Sequence, residues 1–275
     1  MKAFVSHVPI KLVIACNILI IFIGISLFSF GADYTTQNLE QRFLPPFWME
    51  GGSSAHLLGT DHLGRDLAAR IASGIQISYF IALVGTIIGA IIGTFLGYIA
   101  ARFKGVIDEV IMMLVDVQAS LPFMIIAIAL LSIFTNSLLV IVVLLGVAGW
   151  EKYARLTRGM ALSAMNDGYS VAVQVLGASH GRIFFRHILP NISSALIVNM
   201  SLNFPGTMIA ESSLSFLGLG IQPPIVSLGR LLGEGRVYLL TAWWITVFPG
   251  LVIFLSTLSM TLIGDWVRDT LHAST

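Results

Sequence analysis

Between Leu12 and Ala32 the chain runs for 21 residues without one charged side chain, just after Lys2 and Lys11. A helix needs about 20 apolar residues to cross the roughly 30 Å hydrocarbon core of a bilayer, so this stretch is long enough to span. A cleaved signal sequence also starts basic, but its apolar core is only about 7–15 residues. The length favours a first span that is kept. Further apolar segments lie near Ile75–Ala101, Val110–Phe134, Leu138–Trp150, Ile192–Leu217 and Trp243–Ile263. The one beginning at Leu138 is short and reads as extending through Lys152 and Tyr153 to the interface.

Only 11% of the 275 residues are charged, against about 25% in soluble domains, which is too few to cover a water-facing surface. In lipid, backbone N–H and C=O groups must pair within the chain, and these runs lack the short alternation of barrel strands. The expected fold is an all-α membrane protein of about six transmembrane helices. Residues 1–74 carry the first helix and a loop, and residues 75–275 carry a core of five helices. The formal net charge of +1 leaves no broad basic footprint for nucleic acid. The single cysteine, Cys16, forms no internal disulfide and says nothing about redox compartment.

Lysine and arginine set orientation. With the N-terminus inside, the inner pieces hold Lys2, Lys11, Arg102, Lys104, Lys152, Arg155, Arg158, Arg182, Arg186 and Arg268, and the outer pieces hold Arg42, Arg65, Arg70, Arg230 and Arg236. Ten against five places both termini in the cytoplasm, residues 33–74 outside and residues 152–190 inside.

Gly85, Gly89, Gly93 and Gly97 recur every four residues. At 3.6 residues per turn they share one helix face, where a neighbouring backbone can approach closely. Packing within this chain and a subunit interface are both open readings. Asp116 and Glu211 lie in or near apolar spans, where an ionisable group faces the bundle interior or a water path. Each is either a pathway or gating residue, or a carboxylate hydrogen-bonded between helices. The six histidines include no pair at the four-residue spacing that puts two metal ligands on one helix face, so no metal site is expected. His56 and His62 share the outer loop, where a weak contact with a metal-bearing solute stays open.

The longest inner loop is also the most basic segment. Asp167 can cap a short helix whose Tyr169, Ala172, Val173 and Leu176 make one apolar stripe, with Gly177 at its C-terminal cap. Ser179 can cap a second short helix carrying Arg182 and Arg186 ahead of Pro190. An apolar stripe there is either a docking surface or a loop lying back on its own bundle. Gly177-Ala-Ser-His-Gly181 matches the G-x-S-x-G pattern of hydrolases, but the strand that pattern requires before the serine is missing from the sequence. No phosphate-binding G-x-x-x-x-G-K-[ST] loop occurs, so ATP chemistry would have to sit on another chain.

The stretch Tyr169-Ser-Val-Ala-Val-Gln-Val-Leu-Gly177, continuing to His187-Ile-Leu-Pro190-Asn191, resembles the coupling loop of ABC importer permeases. The match rests on Ala172, Gly177, Ala178, His187, Leu189 and Pro190, and it departs at Val171 and Val173. Leu58-Gly-Thr-Asp-His-Leu-Gly-Arg-Asp66 resembles the outer-loop signature of the dipeptide/oligopeptide/nickel branch, in the second of its two paired subunits. So do Leu214–Gly220 with Pro223-Pro224, Asp116 with Leu121-Pro122, and Gly264-Asp265 with Arg268-Asp269. Ser227-Leu-Gly229 departs from that branch, where a tryptophan commonly precedes the glycine. The likeness runs from about Leu58 to Leu271.

It implies a type I importer permease fold, which forms half of a translocation path with a homologous permease in a bacterial-type inner membrane. Two ATPase subunits, holding the ATP and magnesium, would dock on Tyr169, Ala172, Gly177, Ala178, Arg186, His187, Leu189 and Pro190. An extracytoplasmic binding protein would deliver a peptide, nickel or a metal chelate. The rival readings are a secondary transporter or channel without ATPase partners, and an intramembrane hydrolase using Ser179.

Overall fold

The computed structural model describes residues 9–28, 33–134, 136–166 and 178–272. Their regular structure is helical, apart from one isolated bridge between Thr60 and Asp66. In chain order the helices are α1 (Ile10–Phe28), α2 (Leu67–Phe103), α3 (Gly105–Ser120), α4 (Phe123–Ile133), α5 (Leu138–Ala148), α6 (Trp150–Asn166), α7 (His180–Ile183), α8 (Leu189–Phe216), α9 (Leu228–Gly235) and α10 (Trp244–His272). Among the described residues, four helical stretches are long and apolar enough to cross a membrane: those of α1, α2, Gly181–Phe216 and α10.

The apolar segment Val110–Phe134, expected as one span, is broken. α3 and α4 meet at a 93° bend, because Leu121 adopts the extended conformation that a following proline imposes. Counted together, the bent pair gives a fifth span. α5 is only 11 residues long, and Gly149 separates it from α6.

α2 organises the bundle. Asp66 caps it by accepting from Ala69 N–H at 2.8 Å, and its 37 residues at 1.5 Å each give about 55 Å. That exceeds the hydrocarbon core, so the helix projects beyond it or tilts. Its N-terminal end meets the 33–66 loop and α9. Its C-terminal end meets the α7–α8 junction, where Tyr98 stacks on Phe184 with ring centroids 4.0 Å apart. Its glycine face packs inside this chain. A Cβ on Gly89 would lie 2.9 Å from Gly146 O, one on Gly93 2.2 Å from Trp150 O, and one on Gly97 2.4 Å from Ala154 O. The α5–α6 backbone can run this close only because side chains are missing from α2 there. Two ion pairs fasten α6 to α3, Arg158–Asp108 with Nε–Oδ1 at 2.5 Å and Arg155–Asp116 at 2.8 Å.

The inner-loop expectation needs one correction. α6 carries helix through Lys152 to Asn166. The short helix α7 (His180–Ile183), which bears Arg182, runs into α8 through a π-helical turn at Phe184–Ile188, which bears Arg186, instead of standing apart from it. Pro190 has no N–H, and in a helix interior its ring would collide with the carbonyl four residues back. Pro190 is the second residue of α8, in the first turn, where a proline is tolerated.

Candidate functional site

Halfway along α2, where Gly85 and Gly89 thin the helix, a cavity of about 280 Å³ opens among α2, α3, α6 and α8. Its polar lining comes from Thr86, Gln118, Glu151, Lys152, Asn203 and Thr207. The elements that place these groups follow from local sequence. Asn203 and Thr207 are one turn apart on α8, and the Thr207 hydroxyl donates to Asn203 O at 3.1 Å. Lys152 Nζ donates to Asn203 Oδ1 at 3.1 Å, tying the start of α6 to α8. Glu151 Oε2 is buried and has no hydrogen-bond partner among the described residues. An unpaired buried acceptor is costly, at about 1–3 kcal/mol or more when charged. With one carboxylate and one ammonium on its wall, the cavity suits a solute that carries both signs of charge.

Glu211 does not face this cavity. It is buried on α8 with 1% exposure, and its Oε1 accepts from Ser215 Oγ and Ser227 Oγ, each at 2.7 Å. Ser78 Oγ donates to Oε2 at 3.4 Å and itself accepts Leu228 N–H at 3.0 Å. The arrangement ties α2, α8 and α9 together. Asp116 is exposed and paired with exposed Arg155, while its near neighbours Gln118 and Ala119 reach the cavity wall.

Along α7 and the π turn, Ile183, Phe184 and Ile188 are buried, while Arg182, Phe185, Arg186 and Pro190 are exposed. Ala178, His187 and Leu189 are half-buried. Ser179 Oγ accepts from Arg182 N–H at 3.4 Å. Tyr169, Ala172 and Gly177 lie outside the described residues. The segment therefore offers an exposed face with two arginines and a phenylalanine at the C-terminal end of α2.

At the other end of α2 the 33–66 loop is built on ion pairs. Asp61 Oδ2 accepts from Arg65 Nε at 2.7 Å and Arg70 Nη1 at 2.5 Å. Glu234 on α9 accepts from Arg70 at 2.9 Å and Arg230 at 2.7 Å. Burial pushes the Asp61 carboxyl up, but the two guanidiniums and the N–H groups of Arg65 and Leu63 outweigh it and hold the group below the usual range. Glu234 behaves likewise, lowered by Arg70 and Arg230 against its burial. Gly64, with φ +72°, passes so close to Asn38 that a Cβ would strike its carbonyl oxygen, so only glycine closes the loop there.

Asp61, His62 and Glu234 set potential metal-ligand atoms within 4.8 Å of one another. Both carboxylates are already held by arginines, however, and a divalent ion entering would meet their positive charge. His62 stacks on Tyr238, and His56 bonds Asp66 at 2.7 Å and Gln41 at 3.1 Å.

The cavity residues Glu151, Asn203 and Thr207 were not among those that sequence reasoning singled out. The signal was present: Asn199, Asn203 and Thr207 recur every four residues, a short polar stripe along one side of a helix.

Residues 93–274 match the family model described as "Binding-protein-dependent transport system inner membrane component". The chain is 37% identical over 242 residues to the di/tripeptide transport system permease protein DppC of Pseudomonas aeruginosa, covering 87% of this chain and 80% of that one. It is 39% identical over 227 residues to the dipeptide transport system permease protein DppC of Escherichia coli K12, covering 82% and 76%. Against the glutathione transport system permease protein GsiD of Pectobacterium atrosepticum it is 39% identical over 222 residues, covering 81% and 74%. In fold it is similar to a chain of the MetNI methionine ABC transporter solved in inward-facing conformations, with TM-score 0.58 and 17% identity over 73% of this chain and 95% of that one.

Proposed function

Because this chain belongs to the inner membrane components of binding-protein-dependent transport systems, it is a permease subunit of an ABC importer, and we propose that it carries di- and oligopeptides through the cavity walled by Glu151 and Lys152. The observation that carries this reading is the buried, unpartnered Glu151 Oε2 beside Lys152 in a cavity halfway along the spans. A zwitterionic peptide brings an ammonium for the first and a carboxylate for the second. Relatives described as dipeptide, di/tripeptide and glutathione permeases support a peptide over nickel or a metal chelate.

The chain works beside ATPase subunits and a binding protein, with a paired permease. The proposal extends to particulars: a homologous permease completes the path, and two ATPases dock at the loop of residues 152–190. Arg182, Phe185 and Arg186, exposed at the α7–α8 entry, would flank that contact. The π turn at Phe184–Ile188 and the Tyr98–Phe184 stack would pass the movement to α8 and α2. A two-state loop coupled to rigid helices is what such transmission requires. The ten-to-five charge asymmetry supports a cytoplasmic location for this end and an extracytoplasmic one for the 33–66 loop.

The test is uptake of a radiolabelled dipeptide, and separately of radioactive nickel, in proteoliposomes holding the permease pair, its ATPases and its binding protein. ATP-dependent peptide uptake is expected. Nickel uptake without peptide uptake, or transport that needs no ATPase, would overturn the reading.

A further inference from the structure

The ion-pair cluster at this end of the molecule holds one more guanidinium than carboxylate. Arg65, Arg70 and Arg230 converge on Asp61 and Glu234, three guanidiniums against two carboxylates. Burial holds His62 below its ordinary value, so at neutral pH the imidazole neither adds to nor offsets this excess. Arg70 is 1% exposed, and although its Nη1 reaches both carboxylates, its Nε has no hydrogen-bond partner among the described residues. A buried N–H on a permanently charged group is an expensive donor to leave unused. The same three arginines, with Glu234, line a cavity of about 140 Å³ between the 33–66 loop and α9, whose wall also includes Thr35, Gln37 and Val226. One water needs only about 10–15 Å³ of such space, so a group of several heavy atoms fits.

We propose that this cavity is a binding site for a single carboxylate group, with Arg70 as its buried anchor and Arg65 and Arg230 as flanking cations. One negative charge balances the surplus. The planar fork of a guanidinium matches a carboxylate in geometry as well as charge. A dianion would leave the cluster negative, and a divalent cation would deepen the excess. The site is separate from the mid-bundle cavity: it lies at the N-terminal end of α2, about 20 residues from Gly85–Gly89 and so roughly 25–30 Å along the axis. It does not depend on which solute the importer carries. Two sources of the group are open to it, a small free carboxylate and the terminal carboxylate of a peptide.

The experiment uses the full chain in lipid nanodiscs with ¹³C-labelled acetate as probe, read by saturable NMR line broadening. Saturable binding is expected to weaken about tenfold or more in Arg230→Gln, which removes one charge-assisted donor. Gln37→Trp, at an exposed position outside the ion pairs, should weaken it similarly by blocking the entrance. Arg155→Gln, at the far end of the bundle, should leave it unchanged. Displacement of acetate by glycylglycine but not by its C-terminal amide supports the peptide terminus as source, and displacement by neither supports small carboxylates only. Because Arg230→Gln could loosen α9, the Gln37→Trp result decides the matter: acetate binding unchanged in that variant, or absent from the wild type, overturns the site.

Discussion

Ser227, the residue that caps α9, donates its hydroxyl hydrogen to Glu211 Oε1 on α8 at 2.7 Å. The same hydroxyl oxygen accepts Arg230 N–H at 3.1 Å, so one serine both starts a helix and anchors it to a buried carboxylate. With Ser215 and Ser78 completing the set, Glu211 joins three helices where no water competes. Glu211→Leu should orphan these hydroxyls at about 1–3 kcal/mol each, and Glu211→Gln, which keeps an acceptor, should cost less. Thermal unfolding in detergent measures the difference. A Glu211→Leu protein as stable as wild type but inactive in transport would favour a gating role instead.

The glycine face of α2 predicts a position-specific effect. A leucine at Gly93 must displace the Trp150 carbonyl, since even a Cβ would sit 2.2 Å from it. At Ile91, which is 63% exposed, leucine has the same volume and meets no backbone, so it alters little. Gly93→Leu should lower membrane abundance and detergent stability well beyond Ile91→Leu, with a cost of about 3 kcal/mol or more from overpacking against backbone. Equal behaviour of the two would mean that α2 and α6 are not held this close.

Much of this was legible beforehand, and the reasons are local. Apolar length marked α1, α2, α8 and α10, because a bilayer admits little else. The four-residue glycine period marked the face of α2, because period alone fixes which residues share a face. What periodicity could not supply was the partner: the α5–α6 backbone against that face is a tertiary fact. The 93° bend at Leu121-Pro122 was hidden because apolar content runs on through it, and hydropathy does not sense backbone direction. The π turn ahead of Pro190 was not legible, because such a turn has no composition of its own. Glu151 was overlooked for a different reason. Beside Trp150 and Lys152 it looked like the edge of the membrane, and only the path of α6 behind α2 brings it inside.

Acid should loosen the 33–66 loop. Asp61 and Glu234 are both held below their ordinary values, burial being outweighed by the arginines. A carboxyl lowered in the folded state contributes stability above its unfolded value and loses it as pH falls through the folded one. The contribution should therefore be complete at neutral pH and decline below about pH 4. Hydrogen exchange of residues 33–66 at pH 7 and after brief exposure to pH 3 would show it as lost protection in the loop ahead of α2. Protection that stays level across that range would mean the ion pairs do not hold the loop.

The mid-bundle cavity makes the sharpest functional prediction. Glu151 lines it and holds one buried oxygen without a hydrogen-bond partner among the described residues, while Lys152 uses one of its three N–H donors on Asn203 at 3.1 Å. Removing the charge of Glu151 should therefore act on the solute more than on the fold. Glu151→Gln keeps the shape and an acceptor, and it removes a buried charge that lacks a hydrogen-bond partner at Oε2, so stability should hold or rise slightly. Transport should respond differently according to the peptide. If Glu151 meets the ammonium end, uptake of an ordinary dipeptide should fall by about tenfold, the worth of one charge-assisted hydrogen bond. Uptake of the same dipeptide acetylated at its N-terminus, which has no ammonium to lose, should stay at its wild-type level. Measuring both peptides in one set of proteoliposomes, with membrane abundance and basal ATPase rate recorded alongside, separates recognition from coupling. An equal fall for both peptides would assign Glu151 to the moving parts of the bundle, and no fall for either would remove it from the path.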